Sequence, residues 1–246
     1  MTPPIHQKLT SLFKTNDPNC PLTSVENLND GRGYTCGWAG FTTADEEVVE
    51  LVEEYTRRVG GNYLYGMYIY LRFLRMKGLG DTHGLDRRDF KTHYLNACSN
   101  PQFHEAYATI VDRKFGEPAR DWCEKLGLRL PIAHAILFDS LVQHGNEDDP
   151  DGVPAMIEDV GTYLSSPKHV ESVFGPSQTN EHEIDWLNSF LAIREKVLTH
   201  PYNDDTTEAW GESLSRVEAL RHLLETNPQL NEPVVVDCAD WKGVRL

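Results

Sequence analysis

Residues 26–43, ENLNDGRGYTCGWAGFTT, carry more information about fold and chemistry than any other stretch of this sequence. Their second half, 33–43, is aromatic and interrupted by glycine, so it predicts a small sheet or hairpin. Their first half holds Asp30 among turn-forming residues, where a carboxylate is presented to its surroundings. The stretch therefore predicts a short β element that carries an acid at its turn.

Helical patterns surround this element. Residues 45–59 place apolar side chains at helical spacing, and Gly60–Gly61 predicts where that helix ends. Thr43 and Glu46 have the spacing of a capping box at its start. Residues 62–77 are more apolar and predict a largely buried helix. Further helices are predicted at 101–114, 118–126, 131–143, 153–164, 181–199 and 208–226, and a short strand at 234–236. The fold class is therefore predicted as mainly α (α+β).

Composition and charge limit the classes of function. The chain has 246 residues, of which 39% are hydrophobic and 25% charged, as in an ordinary globular protein of one domain or two small lobes. Its formal charge of −15 repels nucleic acid and anionic lipid and favours cationic partners. We expect no membrane segment. Because the run that starts Met1-Thr-Pro-Pro-Ile-His has no basic region followed by an apolar run, we also expect a cytoplasmic location, and an exported mature form stays open.

No motif for a metal or cofactor is present. The sequence contains no HExxH, no glycine-rich nucleotide loop and no GxSxG elbow. The acidic segment 144–152 fails the EF-hand spacing because Pro150 and Ile157 occupy would-be ligand positions. Five widely spaced cysteines predict free thiols: Cys20, Cys36, Cys98, Cys123 and Cys238. We expect neither a metal nor a cofactor.

Asp30 and Arg32 form the candidate reactive pair. An aspartate followed by Gly-Arg-Gly can line the wall of a cleft, and the nearby guanidinium would keep its carboxylate ionised. The alternative is an Asx turn with a surface arginine.

Several blocks together resemble a known family. The run Asp30-Gly-Arg-Gly-Tyr-Thr35 and the following Gly40-Phe41 are similar to the signature of the family 46 chitosanases. The resemblance extends to residues 136–145, 186–194, 203–206 and 227–233. These blocks occur in the order of that family across almost the whole chain, so they favour a shared fold over a chance motif.

This resemblance implies a fold and a reaction. The fold would be a single lysozyme-like domain, residues 1–246, made of two lobes with the substrate cleft between them. The reaction would be inverting hydrolysis of a β-1,4-linked glucosamine oligomer, a cationic amino sugar, with Asp30 as general base and Thr35 holding the water. The matched positions also imply cleft residues at Arg32, Glu47, His144 and Asp204, and a buried ion network at Asp139 and Arg194.

Two positions depart from the family pattern. The alignment puts Lys14 where the family has its general-acid glutamate, and Glu208 where it has an arginine of the ion network. A lysine cannot replace that acid without a large change in its pKa.

Three hypotheses follow from these departures. In the first, Glu208 is a displaced acid and hydrolysis survives. In the second, Lys14 works with Asp30 in a non-hydrolytic, biosynthetic reaction on a small carbonyl substrate, with the lysine as nucleophile or acid/base, as a buried lysine can. In the third, the protein has lost its chemistry and only binds a glycan or metabolite.

Overall fold

The computed structural model describes residues 2–164, 180–202, 210–211, 213–238 and 240–246. The chain divides into two units, one formed by Met1–Phe13 with Glu117–Leu246 and the other by Lys14–Gly116. Asp204 and Glu208, both named above as candidate site residues, lie outside the described residues. The described part is mostly helical with short antiparallel strands, which confirms the predicted fold class.

The unit Lys14–Gly116 combines a small sheet with a helical layer. Its sheet contains β1 (Val25–Asn27), β2 (Tyr34–Cys36) and β3 (Phe41–Thr42) in that order. Both strand pairs are antiparallel, with Glu26 opposite Thr35 and Thr35 opposite Thr42. The helices are α2 (Glu46–Val59), α3 (Tyr68–Lys77), α4 (Thr82–Asp86), α5 (Phe90–Ala97) and α6 (Pro101–Val111).

Helix α2 packs its apolar stripe on α6. The rings of Tyr55 and Phe103 meet edge to face, with 5.1 Å between their centroids. The helix ends where predicted, since the Gly60 N–H donates to the Thr56 carbonyl. Its start differs from the prediction: Asp45 is the N-cap residue, and Thr43 Oγ1 instead accepts a hydrogen bond from the Tyr34 N–H. The capping box is absent because its threonine fastens β2.

The prediction of a largely buried helix at 62–77 is wrong. Only Leu71 and Leu74 of α3 are buried, and the preceding turn, Tyr65–Met67, is a 3₁₀ helix. The exposed face carries large apolar side chains: Tyr65, Ile69, Phe73 and Met76. The apolar run is therefore an amphipathic helix whose second apolar face is open to solvent.

The other unit is built around a helix buried on nearly every side. This helix, α8 (Pro131–His144), buries nine of its residues, including Asp139. Around it lie α7 (Glu117–Leu126), α9 (Val153–Leu164), α10 (Asn180–Thr199) and α11 (Leu214–Thr226). The antiparallel pair β4 (Val235–Val236) and β5 (Val244–Arg245) completes the unit. The boundary between the units falls within α1 (Ile5–Thr15).

Most of the remaining predictions about elements are confirmed. The helices predicted from 101 to 199 are present within a few residues, and 33–43 and 234–236 contain strands. Helices α4 and α5 were not predicted, because both are short and rich in polar residues. The five cysteines are free thiols, as expected. None of the helices in the described ranges is long and apolar enough to cross a bilayer.

Candidate active site

The turn between β1 and β2 presents Asp30. Gly31 and Gly33 both have φ of +81°, a conformation that glycine adopts without steric cost, and this bends the chain around the aspartate. The Asp30 Oδ1 accepts the Arg32 N–H at 3.0 Å, and Oδ2 accepts Nε at 3.0 Å and Nη2 at 2.8 Å. The Asp30 side chain stays 29% exposed. One carboxylate is thus oriented by three donors of a single residue and still reaches water.

These contacts keep Asp30 ionised. Partial burial raises the pKa of its carboxyl, but the hydrogen bonds and the charge of Arg32 outweigh burial and leave the pKa below its usual range. An ionised carboxylate open to solvent can accept a proton from a water molecule, which is the role of a general base.

Two further contacts fix the turn. The Tyr34 hydroxyl donates to the Asp86 carboxylate in α4 at 2.5 Å, and this bond raises the pKa of Tyr34 to about 12. Gly80 lies directly against the main chain of the turn, so that a Cβ there would overlap the Gly31 carbonyl oxygen. Neither partner was predicted, because each is some fifty residues from the strand in sequence and only the fold brings it close.

Thr35 lies on β2, five residues after Asp30. Its Oγ1 is buried and has no hydrogen-bond partner among the described residues. Burying a hydroxyl without a hydrogen-bond partner costs free energy of desolvation. A hydrogen bond to a water or a substrate oxygen would offset that cost.

Lys14 lies near Thr35. Its Nζ donates to the Ala39 carbonyl at 2.8 Å. A Cβ on Gly40 would be 2.7 Å from Lys14 Nζ and 3.7 Å from Thr35 Cγ2, so the two side chains flank the same glycine. The residue as a whole is exposed, whereas its hydrogen bond to Ala39 is partly buried.

Glu47 stands in the first turn of α2. Burial raises the pKa of its carboxyl, and the charges of Asp45 and Glu50 add to that, whereas its own N–H and Lys114 oppose it. Of the described carboxyls with a resolved shift, Glu47 is the one whose pKa is raised. It can hold a proton at a pH where Asp30 has lost its own.

The other unit contains the ion network. Asp139 in α8 is fully buried and accepts Arg194 Nη2 of α10 at 2.7 Å and Arg216 Nη2 of α11 at 2.6 Å. Burial raises the pKa of Asp139, but the two guanidiniums outweigh it and hold the pKa far below its usual range. The pair of Asp139 and Arg194 was predicted, whereas Arg216 was missed.

A sequence signal for Arg216 exists. It stands on the buried face of α11, next to Val217 and Leu220 in the helical pattern. A charged residue on an apolar face requires a buried partner. The alignment places Glu208 where the family has a second arginine of the network. Arg216 supplies that second arginine to Asp139.

His144 ends α8 beside this network. Its ring meets the edge of Trp210 at 4.9 Å between centroids. Burial, and then the charges of Arg194 and Arg216, hold the pKa of His144 well below its usual range. His144 is therefore a neutral ring at ordinary pH.

The structure thus groups the candidates by unit. Asp30, Arg32, Thr35, Lys14 and Glu47 belong to Lys14–Gly116, where Arg32 binds Asp30 and Lys14 lies near Thr35. Asp139, Arg194 and His144 belong to the other unit.

Comparison with known proteins identifies the family. Residues 8–234 match the model of glycosyl hydrolase family 46. The chain belongs to glycosyl hydrolase family 46. A chitosanase of this kind from Bacillus subtilis (strain 168) is 35% identical over 231 residues, 94% of this chain and 79% of that protein. The chain is accordingly a chitosanase-like glycoside hydrolase.

Solved family 46 structures share the fold. The native chitosanase of Bacillus subtilis MY002 matches with a TM-score of 0.86 and 34% identity, covering 98% of this chain and 96% of that one. A family 46 chitosanase from Gynuella sunshinyii, in complex with chitotetraose, matches with a TM-score of 0.83 and 33% identity, covering 98% and 94%. The chitosanase fold implied by the sequence blocks is confirmed.

Proposed function

We propose that this family 46 member hydrolyses β-1,4-linked glucosamine oligomers with inversion at the anomeric carbon, with Asp30 as the general base. The observation that carries the proposal is the Asp30 carboxylate, held ionised by Arg32 and still open to solvent. The similarity to a chitosanase solved with chitotetraose supports the substrate class, and the net charge of −15 suits a polycation.

The bonds that form and break follow from an inverting mechanism. Asp30 takes a proton from a water molecule as the water oxygen attacks the anomeric carbon. The buried Thr35 hydroxyl, which has no described partner, suits a second contact to that water. The glycosidic bond breaks on the opposite side, and its oxygen must receive a proton from a carboxylic acid.

We assign the acid to Glu208. Two arginines face one aspartate in the buried network, and Arg194 Nε and Nη1 and Arg216 Nε have no partner among the described residues. Such a cluster has one positive charge in excess, which would lower the pKa of a neighbouring carboxyl and so does not by itself favour an acid; the assignment rests on the departure of position 208 from the family pattern, and the experiment below tests it.

The experiment is cleavage of a glucosamine hexamer near pH 5.5, about one unit above the reference pKa of glutamate. The products are followed by mass spectrometry. Wild-type protein should release shorter oligomers, Asp30→Asn should release none, and Glu208→Gln should be strongly impaired. Full activity in Glu208→Gln would overturn the assignment of the acid and direct attention to Glu47, whose pKa is raised.

Stereochemistry tests inversion separately. Proton NMR of the first products should show the α anomer before mutarotation mixes the two forms, because water attacks from the face opposite the leaving group. A β anomer as the first product would contradict inversion. No cleavage by wild-type protein, together with a borohydride-trapped adduct on Lys14, would favour the carbonyl chemistry instead.

A further inference from the structure

A cavity with a volume of about 540 Å³ lies in the unit Lys14–Gly116. That volume is within the range of small-molecule sites. Its walls come from the end of α2, the segment after it, α5 and the start of α6. Asp30, Thr35 and Lys14 are not among the described residues that line it. The cavity is therefore separate from the site described above.

Part of its wall is fixed by internal hydrogen bonds. Asn62 donates to Thr56 Oγ1 at 2.8 Å and accepts the Tyr65 N–H at 3.0 Å. Asn100 caps α6 through the Gln102 N–H and donates to the Tyr55 hydroxyl at 3.1 Å. These side chains hold their positions without a ligand, so the wall is preformed.

Other groups in the wall have unused bonding capacity. The Nδ1 of His93 is buried and has no hydrogen-bond partner within the described part of the chain. Tyr63 stacks on the His93 ring at 5.0 Å and 8°, yet its side chain is 80% exposed, so its other face is open. Asn96 is exposed at the rim. An aromatic face next to amide and imidazole groups suits a ligand with an apolar side and many hydroxyls.

The lining also indicates the charge of the ligand. Among the described residues that form it, none is Asp, Glu, Lys or Arg. A glucosamine unit carries an ammonium group, which requires a carboxylate when it leaves water. An N-acetylated unit is neutral, and its amide can pair with asparagine. Pro101, which is exposed, supplies apolar surface for the acetyl methyl group.

We infer that this cavity is a second carbohydrate site, which binds a neutral N-acetylated hexosamine unit with its ring stacked on Tyr63. A row of tyrosines extends from it, since Tyr65 is bound to Asn62 and stacks on Tyr68 at 5.6 Å. The site would hold acetylated stretches of a partly acetylated chain while hydrolysis takes place elsewhere. The inference does not depend on the proposed mechanism.

The test is an NMR titration of the full chain with tetra-N-acetylchitotetraose, following the ring protons of His93 as a local probe. The His93 resonances, assigned with His93→Gln, should shift and saturate. Tyr63→Ala should weaken the affinity roughly fivefold or more, as expected for loss of one stacked ring. Asn96→Ala should weaken it to a smaller extent.

The matched control is Phe73→Ala, which removes a 47% exposed aromatic ring that does not line the cavity. It should bind as wild type does. The inference is overturned if Tyr63→Ala binds as tightly as Phe73→Ala, or if a glucosamine tetramer binds this site better. It is also overturned if the His93 resonances do not shift up to about 10 mM oligomer, because a Kd above that concentration is weaker than that of specific ligand sites. Asp30→Asn should bind unchanged, so hexamer cleavage and this titration fail independently.

Discussion

The carboxylate of Asp30 receives three hydrogen bonds from one residue, and two of them come from a side chain that is 57% exposed. Such an exposed ion pair contributes little to stability. Its effect on the protonation of Asp30 matters more for the proposed mechanism, in which Asp30 must be ionised to act as the base. The main effect of Arg32 is therefore to extend, toward lower pH, the range over which Asp30 is ionised.

The substitution Arg32→Gln should narrow that range. Loss of the guanidinium raises the pKa of Asp30 toward its ordinary value, while the bond from the residue 32 N–H remains. The acidic limb of the kcat/KM profile should therefore move to higher pH. The matched control, Arg57→Gln, removes an arginine paired with Glu54 and should leave the limb in place. An unmoved limb in Arg32→Gln would contradict the role given to Asp30.

Gly80 should be intolerant of any side chain. A methyl group there would overlap the Gly31 carbonyl and displace the Asp30 turn, so Gly80→Ala should lose about 1–3 kcal/mol of stability and most of its activity. Gly61→Ala is the control, since a Cβ at Gly61 meets nothing within 4 Å; it should change stability by less than about 0.5 kcal/mol. Thermal unfolding and hexamer cleavage measure both effects.

At the scale of elements, three helices meet at one buried aspartate. Arg194 on α10 and Arg216 on α11 both bind Asp139 on α8, and all three side chains are almost inaccessible. A second pair, Glu195 with Arg221, joins α10 and α11 at the surface, with 49% and 33% of the side chains exposed. The Asp139 contacts are buried in the protein interior, whereas the Glu195–Arg221 pair is exposed to water. The two should therefore contribute different free energies to stability.

Asp139→Asn should lower the free energy of unfolding by about 3–5 kcal/mol, because two buried guanidiniums lose their counter-charge. Glu195→Gln should cost less than about 1 kcal/mol. Urea unfolding of both variants gives the comparison. Equal losses of unfolding free energy in the two variants would contradict the expectation that burial strengthens the contribution of the Asp139 network to stability.

The same network contributes to the dependence of stability on pH in acid solution. The pKa of Asp139 is depressed in the fold, so its contribution is present above its unfolded pKa of about 3.9. The contribution is lost as the pH falls through the much lower folded pKa. Wild-type stability should therefore fall steeply only in strongly acidic solution, and Asp139→Asn should lack that part of the dependence.

At the scale of the whole molecule, the excess of 38 acidic over 23 basic residues produces a negative field. A field of one sign raises the association rate of an oppositely charged substrate and is screened by salt. Raising NaCl from about 20 to about 500 mM should therefore lower kcat/KM for glucosamine oligomers several-fold. The kcat should change little, because saturation removes the contribution of association. A kcat/KM independent of salt would rule out steering by the net charge.

The sequence by itself determined the helical class, the small sheet, most helix positions and the turn that carries Asp30. These depend on local information: apolar spacing along 45–59, glycines around Asp30, and a run of residues typical of one family. The neighbouring arginine could also be predicted, because Arg32 is two residues from the carboxylate that it binds.

Only the tertiary structure decided what distant residues do. Leu71 and Leu74 are buried while Ile69 and Phe73 are not, since the number of elements that cover a helix is a property of packing. Arg216 and Gly80 reach their partners across 77 and about fifty residues of chain. The cavity beside Tyr63 likewise joins α2, α5 and α6. Long-range contacts depend on the folded path of the chain, which local patterns do not specify.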